Sequence, residues 1–244
     1  MKERIEGYDF SLKKEKIREI FNTPEHLEYS KKKKKVQKRR ETVYKFTSIG
    51  LSTNSVRNLI IVNVICFILS FYFLPSLFNN FSVYNIIDPN FRIWQPLTSM
   101  FLHGGLFHIL VNMFVLWQFG NQIEEVIGTK KFLQLYFISG LISGIFWMFL
   151  GTGPAVGASG ALSGLLSAYI FIAPETKVLA LFVFPMKMKS FIYGFAVLSL
   201  VFGLASLVNP SYGFGIGHFA HLGGLVGGYI ISYYWKSKRL IPTF

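Results

Sequence analysis

The sequence predicts an all-α membrane protein: a bundle of six transmembrane helices behind a basic cytoplasmic N-terminal tail. Three observations carry this. Only 15% of the 244 residues are charged and 52% are hydrophobic, whereas an average soluble domain is about a quarter charged. Uncharged runs of 30, 31, 43 and 46 residues separate Arg57 from Asp88, Arg92 from Glu124, Lys131 from Glu175, and Lys189 from Lys236. The charge is also lopsided: net +13, with 16 of the 25 Lys and Arg falling in residues 1–57. A nucleic-acid-binding domain spreads its cations over a folded surface. Here the apolar part is nearly bare of them, so the composition argues against nucleic acid as a partner.

Residues 1–56 read as a basic, partly disordered tail. Its run Lys31-Lys32-Lys33-Lys34-Lys35-Val36-Gln37-Lys38-Arg39-Arg40 repels itself but is drawn to anionic lipid headgroups by about 1 kcal/mol per cation. A short helix is expected at Glu15 to Phe21 and the start of another at Thr23. A spanning helix takes about 20 apolar residues, so the four runs hold one, one, two and two. Gly151-Thr152-Gly153-Pro154 divides the third run and Asn209-Pro210-Ser211-Tyr212-Gly213 the fourth, both poor continuations of a helix. The helices are expected at 57–75, 104–121, 130–150, 159–173, 188–207 and 218–235. Together they make a domain of residues 57–235, followed by a short cytoplasmic tail, 236–244. With both termini inside, 24 of the 25 cations face the cytoplasm and only Arg92 faces out, which satisfies the positive-inside bias. The first apolar run begins too late to be a signal peptide, and the single Cys66 rules out an intrachain disulfide.

Polar residues are costly in hydrocarbon unless paired or functional, so those inside the apolar runs are the informative ones. The second span opens His103-Gly104-Gly105-Leu106-Phe107-His108-Ile109-Leu110-Val111-Asn112, with His108 and Asn112 on one face at i,i+4. The fourth opens Gly157-Ala158-Ser159-Gly160, and the sixth opens Gly217-His218-Phe219-Ala220-His221. All three openings lie toward the outer side. His103, His108, His218 and His221 are one candidate set, for zinc, but no carboxylate or thiolate sits at their depth. Ser159 with His221 is the other, a nucleophile and its general base. The glycines beside Ser159 favour the second reading, since they leave its hydroxyl exposed and the first helix amides free to hold an oxyanion. Gly224 and Gly228 on the face of His221, and Gly160, Gly164 and Ala168 on the fourth span, form small-residue stripes that let two helices touch backbones. Beyond residue 57 the acids are only Asp88, Glu124, Glu125 and Glu175. The last three fall at cytoplasmic ends and Asp88 lies in the first outer loop, so unless that loop folds back to the base a Ser-His dyad is expected, with packing orienting the imidazole.

These motifs together, His-Xaa4-His-Xaa3-Asn at 103–112, Gly-Ala-Ser-Gly at 157–160 and Ala220-His221 with Gly224 and Gly228, resemble the rhomboid family of intramembrane serine proteases. The resemblance covers roughly residues 57–235. It implies a six-helix core with a water-accessible cavity open to the outer side, Ser159 as nucleophile, His221 as general base and acid, and His108 and Asn112 as side chains assisting the oxyanion hole. It implies transmembrane proteins as substrates, no cofactor or metal, and a multi-pass location, expected here in a bacterial inner (plasma) membrane. It also implies that Trp94 belongs to a lateral hairpin of about Phe81 to Leu102, and that Glu124 ties the inner end of the second helix to its neighbours. The chain departs at Ser163, where several members carry an aromatic residue that stacks on the catalytic histidine; two replacements are open, a hydrogen bond from the Ser163 hydroxyl to the imidazole or stacking by a phenylalanine from another helix. His103 and His218 read as structural. The rival readings are a catalytically silent rhomboid-like protein that binds membrane clients and a His-lined metal transporter.

Overall fold

Each uncharged run folds as helix in the computed structural model, which describes residues 53–74, 76–180 and 184–242 together with Arg4, Ile5, Tyr8, Asp9, Thr23, Pro24 and Glu28. The chain forms two units, 1–48 and 49–244. In the first, β1 (Arg4–Ile5) pairs antiparallel with β2 (Tyr8–Asp9). The basic run 31–40 and the helix expected at Glu15 to Phe21 lie outside the described residues.

The second unit holds α1 (Asn54–Ile68), prolonged by a π turn Leu69–Phe73, and two short loop helices, α2 (Ser76–Phe81) and α3 (Gln95–Thr98). The long α4 (Leu106–Ile127) contains its own π turn at Leu116–Gly120. After it come α5 (Thr129–Leu150), α6 (Ser159–Ile172), the antiparallel strands β3 (Lys177–Ala180) and β4 (Phe184–Lys187), α7 (Met188–Val208) and α8 (His218–Ser237). A helix occupies each of the six expected segments, within a few residues except at the C-terminal end of α4.

That helix runs to Ile127, beyond the expected end at 121. Glu124 does not mark water there. It is buried and accepts hydrogen bonds from Thr53 Oγ1 at the start of α1 and Thr129 Oγ1 at the start of α5. Three helix ends are thereby tied, the structural part expected of this residue.

Among the described residues, only α1 with its π turn, α5 and α7 are each long and apolar enough to cross a membrane alone. The pair Gln95–Phe101 and Leu106–Ile127, bent by 94°, makes a fourth candidate. The other two helices fall short for physical reasons. α6 has 14 residues, a length of about 21 Å against a hydrocarbon core of about 30 Å. α8 has the length but carries two histidines, four glycines and a lysine. The strands β3 and β4 were not expected. Their short apolar segment between two turn signals has neither helical length nor alternation, so periodicity could not identify it.

Helix α6 is the centre of the unit, with every residue from Gly160 to Ile172 except Ile170 buried. Helix α8 packs on it and on α5 through two adjacent glycine faces. A methyl group at Gly224 or Gly228 would collide with the α6 backbone at Gly160 or Gly164, and one at Gly223 or Gly227 would meet Ile142 on α5. At the inner end the buried Tyr169 hydroxyl of α6 donates to Gln122 Oε1 of α4 at 2.9 Å. The loop before α4 is organised around buried Gln95, which accepts from Arg92 N–H and donates to Asn90 O. Val83 and Ala155 then join that loop to the α5–α6 loop by reciprocal backbone bonds of 2.9 Å.

Backbone contact at the glycines leaves no room for side chains. Replacing Gly224 by Ala should destabilise the protein by about 1–3 kcal/mol, as overpacking does. Gly194→Ala, where an added methyl meets nothing, should leave stability unchanged or slightly raised. Thermal unfolding of the two variants in detergent gives the comparison, and equal midpoints would remove the argument.

Candidate active site

The N-terminal ends of α4, α6 and α8 meet at one end of the bundle. Between them lies a cavity of about 980 Å³ whose lining includes His108, Asn112, Gly157, Ser159 and His221. Three helix starts present their first amides there without intrahelical partners.

Ser159 is the first residue of α6. Its hydroxyl lies 2.8 Å from His221 Nε2 on α8, so the pair singled out in the sequence is brought into hydrogen-bond contact. With the hydroxyl donating to Nε2, the ring proton sits on Nδ1. That nitrogen is buried without a hydrogen-bond partner among the described residues. Asp88 does not supply one, since its Oδ1 accepts from Asn90 N–H in its own turn. The imidazole is held by rings instead. Phe195 of α7 lies 5.4 Å from it, and His218 stands edge-on at 6.4 Å.

Ser163 does not reach the imidazole. Its hydroxyl donates to Ser159 O, one turn back, at 2.8 Å. Phe195 takes the place beside His221 left without an aromatic at position 163. The sequence allows for a phenylalanine from another helix here but does not single out Phe195, because nothing local distinguishes it among the 26 phenylalanines.

On the other side of Ser159, His108 Nδ1 accepts from Gly104 N–H at 3.3 Å. This fixes the proton on Nε2, which faces Gly157. A methyl group at Gly157 would sit 2.7 Å from that Nε2 and 3.7 Å from Asn112 Nδ2. Gly157 is the glycine this site requires, since its φ is +126°, a region side chains avoid. Asn112 donates one amide hydrogen to His108 O at 3.1 Å and keeps a second. His103 is fully buried and packs edge-on against the His108 ring at 5.1 Å. His218 Nε2 lies 3.2 Å from Gly213 O, and its ring stacks on Phe202. Neither His103 nor His218 lines the cavity, in keeping with the structural parts expected of them. Among the described residues no three His, Cys, Asp or Glu side chains group as metal ligands.

Trp94 sits in the loop between α2 and α4, its indole N–H donating to Asn80 O at 3.2 Å. The segment from about Phe81 to Leu102, for which the resemblance implies a lateral hairpin, holds α3 and a 3-10 turn at Ser99–Phe101.

Comparison with known proteins places the chain among relatives. The human mitochondrial presenilin-associated rhomboid-like protein is 31% identical over 198 residues, covering 76% of this chain and 50% of that protein. The rhomboid protease GluP of Bacillus subtilis is 29% identical over 142 residues, 57% of this chain and 25% of its own. Mitochondrial rhomboid protein 1 of Saccharomyces cerevisiae is 31% identical over 143 residues, 56% and 40% respectively. The chain thus spans half or less of the length of these relatives. Two of them are mitochondrial and one bacterial, so the comparisons support a membrane protein without singling out the bacterial inner membrane. The rhomboid domain model matches residues 90–238, a stretch that takes in every residue of the cavity pair and its neighbours, and the chain belongs to the rhomboid family.

Proposed function

We propose that this chain is an intramembrane serine endopeptidase that cuts transmembrane proteins near the outer membrane face. The observation that carries the reading is the 2.8 Å contact between Ser159 Oγ and His221 Nε2 inside a cavity. Ser159 Oγ attacks the scissile carbonyl carbon while its proton passes to His221 Nε2. The carbonyl oxygen becomes an oxyanion, held by free amides at the start of α6, by His108 Nε2–H and by the unused amide hydrogen of Asn112. The intermediate collapses, His221 protonates the leaving amine, and an acyl-Ser159 ester remains. Water then gives its proton to His221 and hydrolyses the ester.

The same reading includes six membrane-embedded helices in residues 57–235, short α6 being shielded by its neighbours. Both termini lie on the cytoplasmic side, or the matrix side in an organelle, and 24 of 25 cations on one side favour this. The basic tail then lies against anionic lipids. A substrate helix must unwind to reach Ser159, so helix-weakening residues and a small residue before the cut are expected in substrates.

Three outcomes are expected. Ser159→Ala abolishes cleavage of a transmembrane reporter and labelling by a fluorophosphonate, while membrane insertion is retained; full activity in that variant would end the proposal. Asn112→Ala lowers kcat by about 10²–10³, the usual loss for one oxyanion donor, and an unchanged kcat would remove Asn112 from that role. Phe195→Ala misplaces the imidazole and lowers kcat by about 10² with KM little altered, and Phe195→Tyr preserves it. A purely structural Phe195 would instead lower the amount of folded enzyme and leave kcat per labelled site intact.

A further inference from the structure

The strands β3 and β4 take no part in the site, and their surface is unusual. In β4 all four residues are exposed, Phe184 at 60%, and Leu179 in β3 is exposed at 62%. A two-stranded hairpin is at best marginally stable in water, the more so with large apolar side chains exposed. The register pairs Val178 with Met186 and Lys177 with Lys187. Successive residues face opposite sides of the hairpin. Val178, Phe184 and Met186 therefore share one face, and both lysines lie at the base of the other.

Two features locate this hairpin and name what covers it. β4 ends at Lys187 and α7 begins at Met188, with no residue between them. As α7 is long and apolar enough to cross a membrane, its first residue lies at the membrane boundary and the hairpin lies there too. The second feature is charge. Glu175 accepts from both Lys187 Nζ at 2.8 Å and Lys189 Nζ at 2.5 Å, and these bonds hold its carboxyl well below the usual carboxylate range. Lys177, directly opposite Lys187, has no ion pair among the described residues. Like charges opposite each other across a strand pair repel. Two lysines thus share one carboxylate and the third, Lys177, has no carboxylate partner among the described residues.

We infer that the β3–β4 hairpin is a membrane-interface anchor, its Val178, Phe184 and Met186 face seated at the headgroup–acyl boundary and its lysines neutralised by anionic phospholipid. The unpaired backbone edges of two strands cannot enter hydrocarbon, which sets the depth at the interface. Lysine stems reach along apolar surface while their ammonium groups stay among headgroups. The anchor is separate from the basic tail and independent of proteolysis.

The test uses the full chain with Cys66→Ser and Ser159→Ala, so that its result does not depend on catalysis. A bimane label at Met186→Cys or Phe184→Cys is followed in phosphatidylcholine vesicles with and without phosphatidylglycerol. The labels should be quenched by nitroxide carried on lipid and shielded from aqueous iodide, more so with phosphatidylglycerol. Lys177→Glu should reduce that lipid dependence. Full iodide quenching overturns the inference, as does lipid quenching that ignores phosphatidylglycerol. Shielding from iodide without lipid quenching also overturns it and points to a protein partner.

Discussion

The backbone contact between α6 and α8 is the constraint on which the site depends. Ser159 precedes Gly160 by one residue, and His221 precedes Gly224 by three, so the Ser-His distance is set within one turn of the place where the two backbones touch. Serine has a short side chain, and its hydroxyl cannot follow a retreating partner. An outward shift of about 1 Å, the scale of misplacement that already costs rate, takes the 2.8 Å contact beyond hydrogen-bond reach. The second glycine face on α5 completes the arrangement, because α8 is held on two sides and cannot relax by rolling.

Association of helices in lipid gains little from the hydrophobic effect, so close packing and polar contacts must hold them. The glycines supply the first at the cavity end. The buried polar groups supply the second at the other end: Glu124 joins α1, α4 and α5, and Tyr169 with Gln122 joins α4 and α6. The short α6 is fixed at both ends by partners that carry its load. Its short length then costs nothing in hydrogen bonding, since its buried surface faces protein and not lipid.

Much of this was legible in the sequence because a membrane makes polar residues conspicuous. The uncharged runs gave the helices. Ser159, His221, His108 and Asn112 stood out as polar groups in apolar stretches. The Gly224 and Gly228 stripe pointed to α6. What was hidden had no local signature. The partner of the His221 ring is a phenylalanine among many, identifiable only once α7 is packed against α8. The second face, Gly223 and Gly227 against α5, is not part of the stripe read from the sequence and shows only in the packing. Gln95 and Glu124 are polar residues whose burial depends on chain segments far away in sequence. The β3–β4 hairpin has the wrong length and pattern for either period.

The unpartnered Nδ1 of His221 bears on how such a site works without a third acid. In a triad, a carboxylate fixes the tautomer and stabilises the imidazolium as it forms. Here Nδ1 meets no acceptor among the described residues, so neither service comes from a neighbouring carboxylate there. With Ser159 as donor the ring proton sits on Nδ1, and Phe195 and His218 flank the ring. In the proposed mechanism the imidazolium is stabilised from elsewhere, and the nearest compensating charge is the oxyanion, generated in the same step on the far side of Ser159. On that proposal the two charges arise as a pair across the nucleophile. The proposed donors to the oxyanion, the α6 amides with His108 and Asn112, would then stabilise the anion and keep it within reach of the cation. A second histidine suits this position, because His108 offers its Nε2–H only while Gly104 holds its Nδ1 as an acceptor, a neutral donor that adds no repulsion to the charging His221.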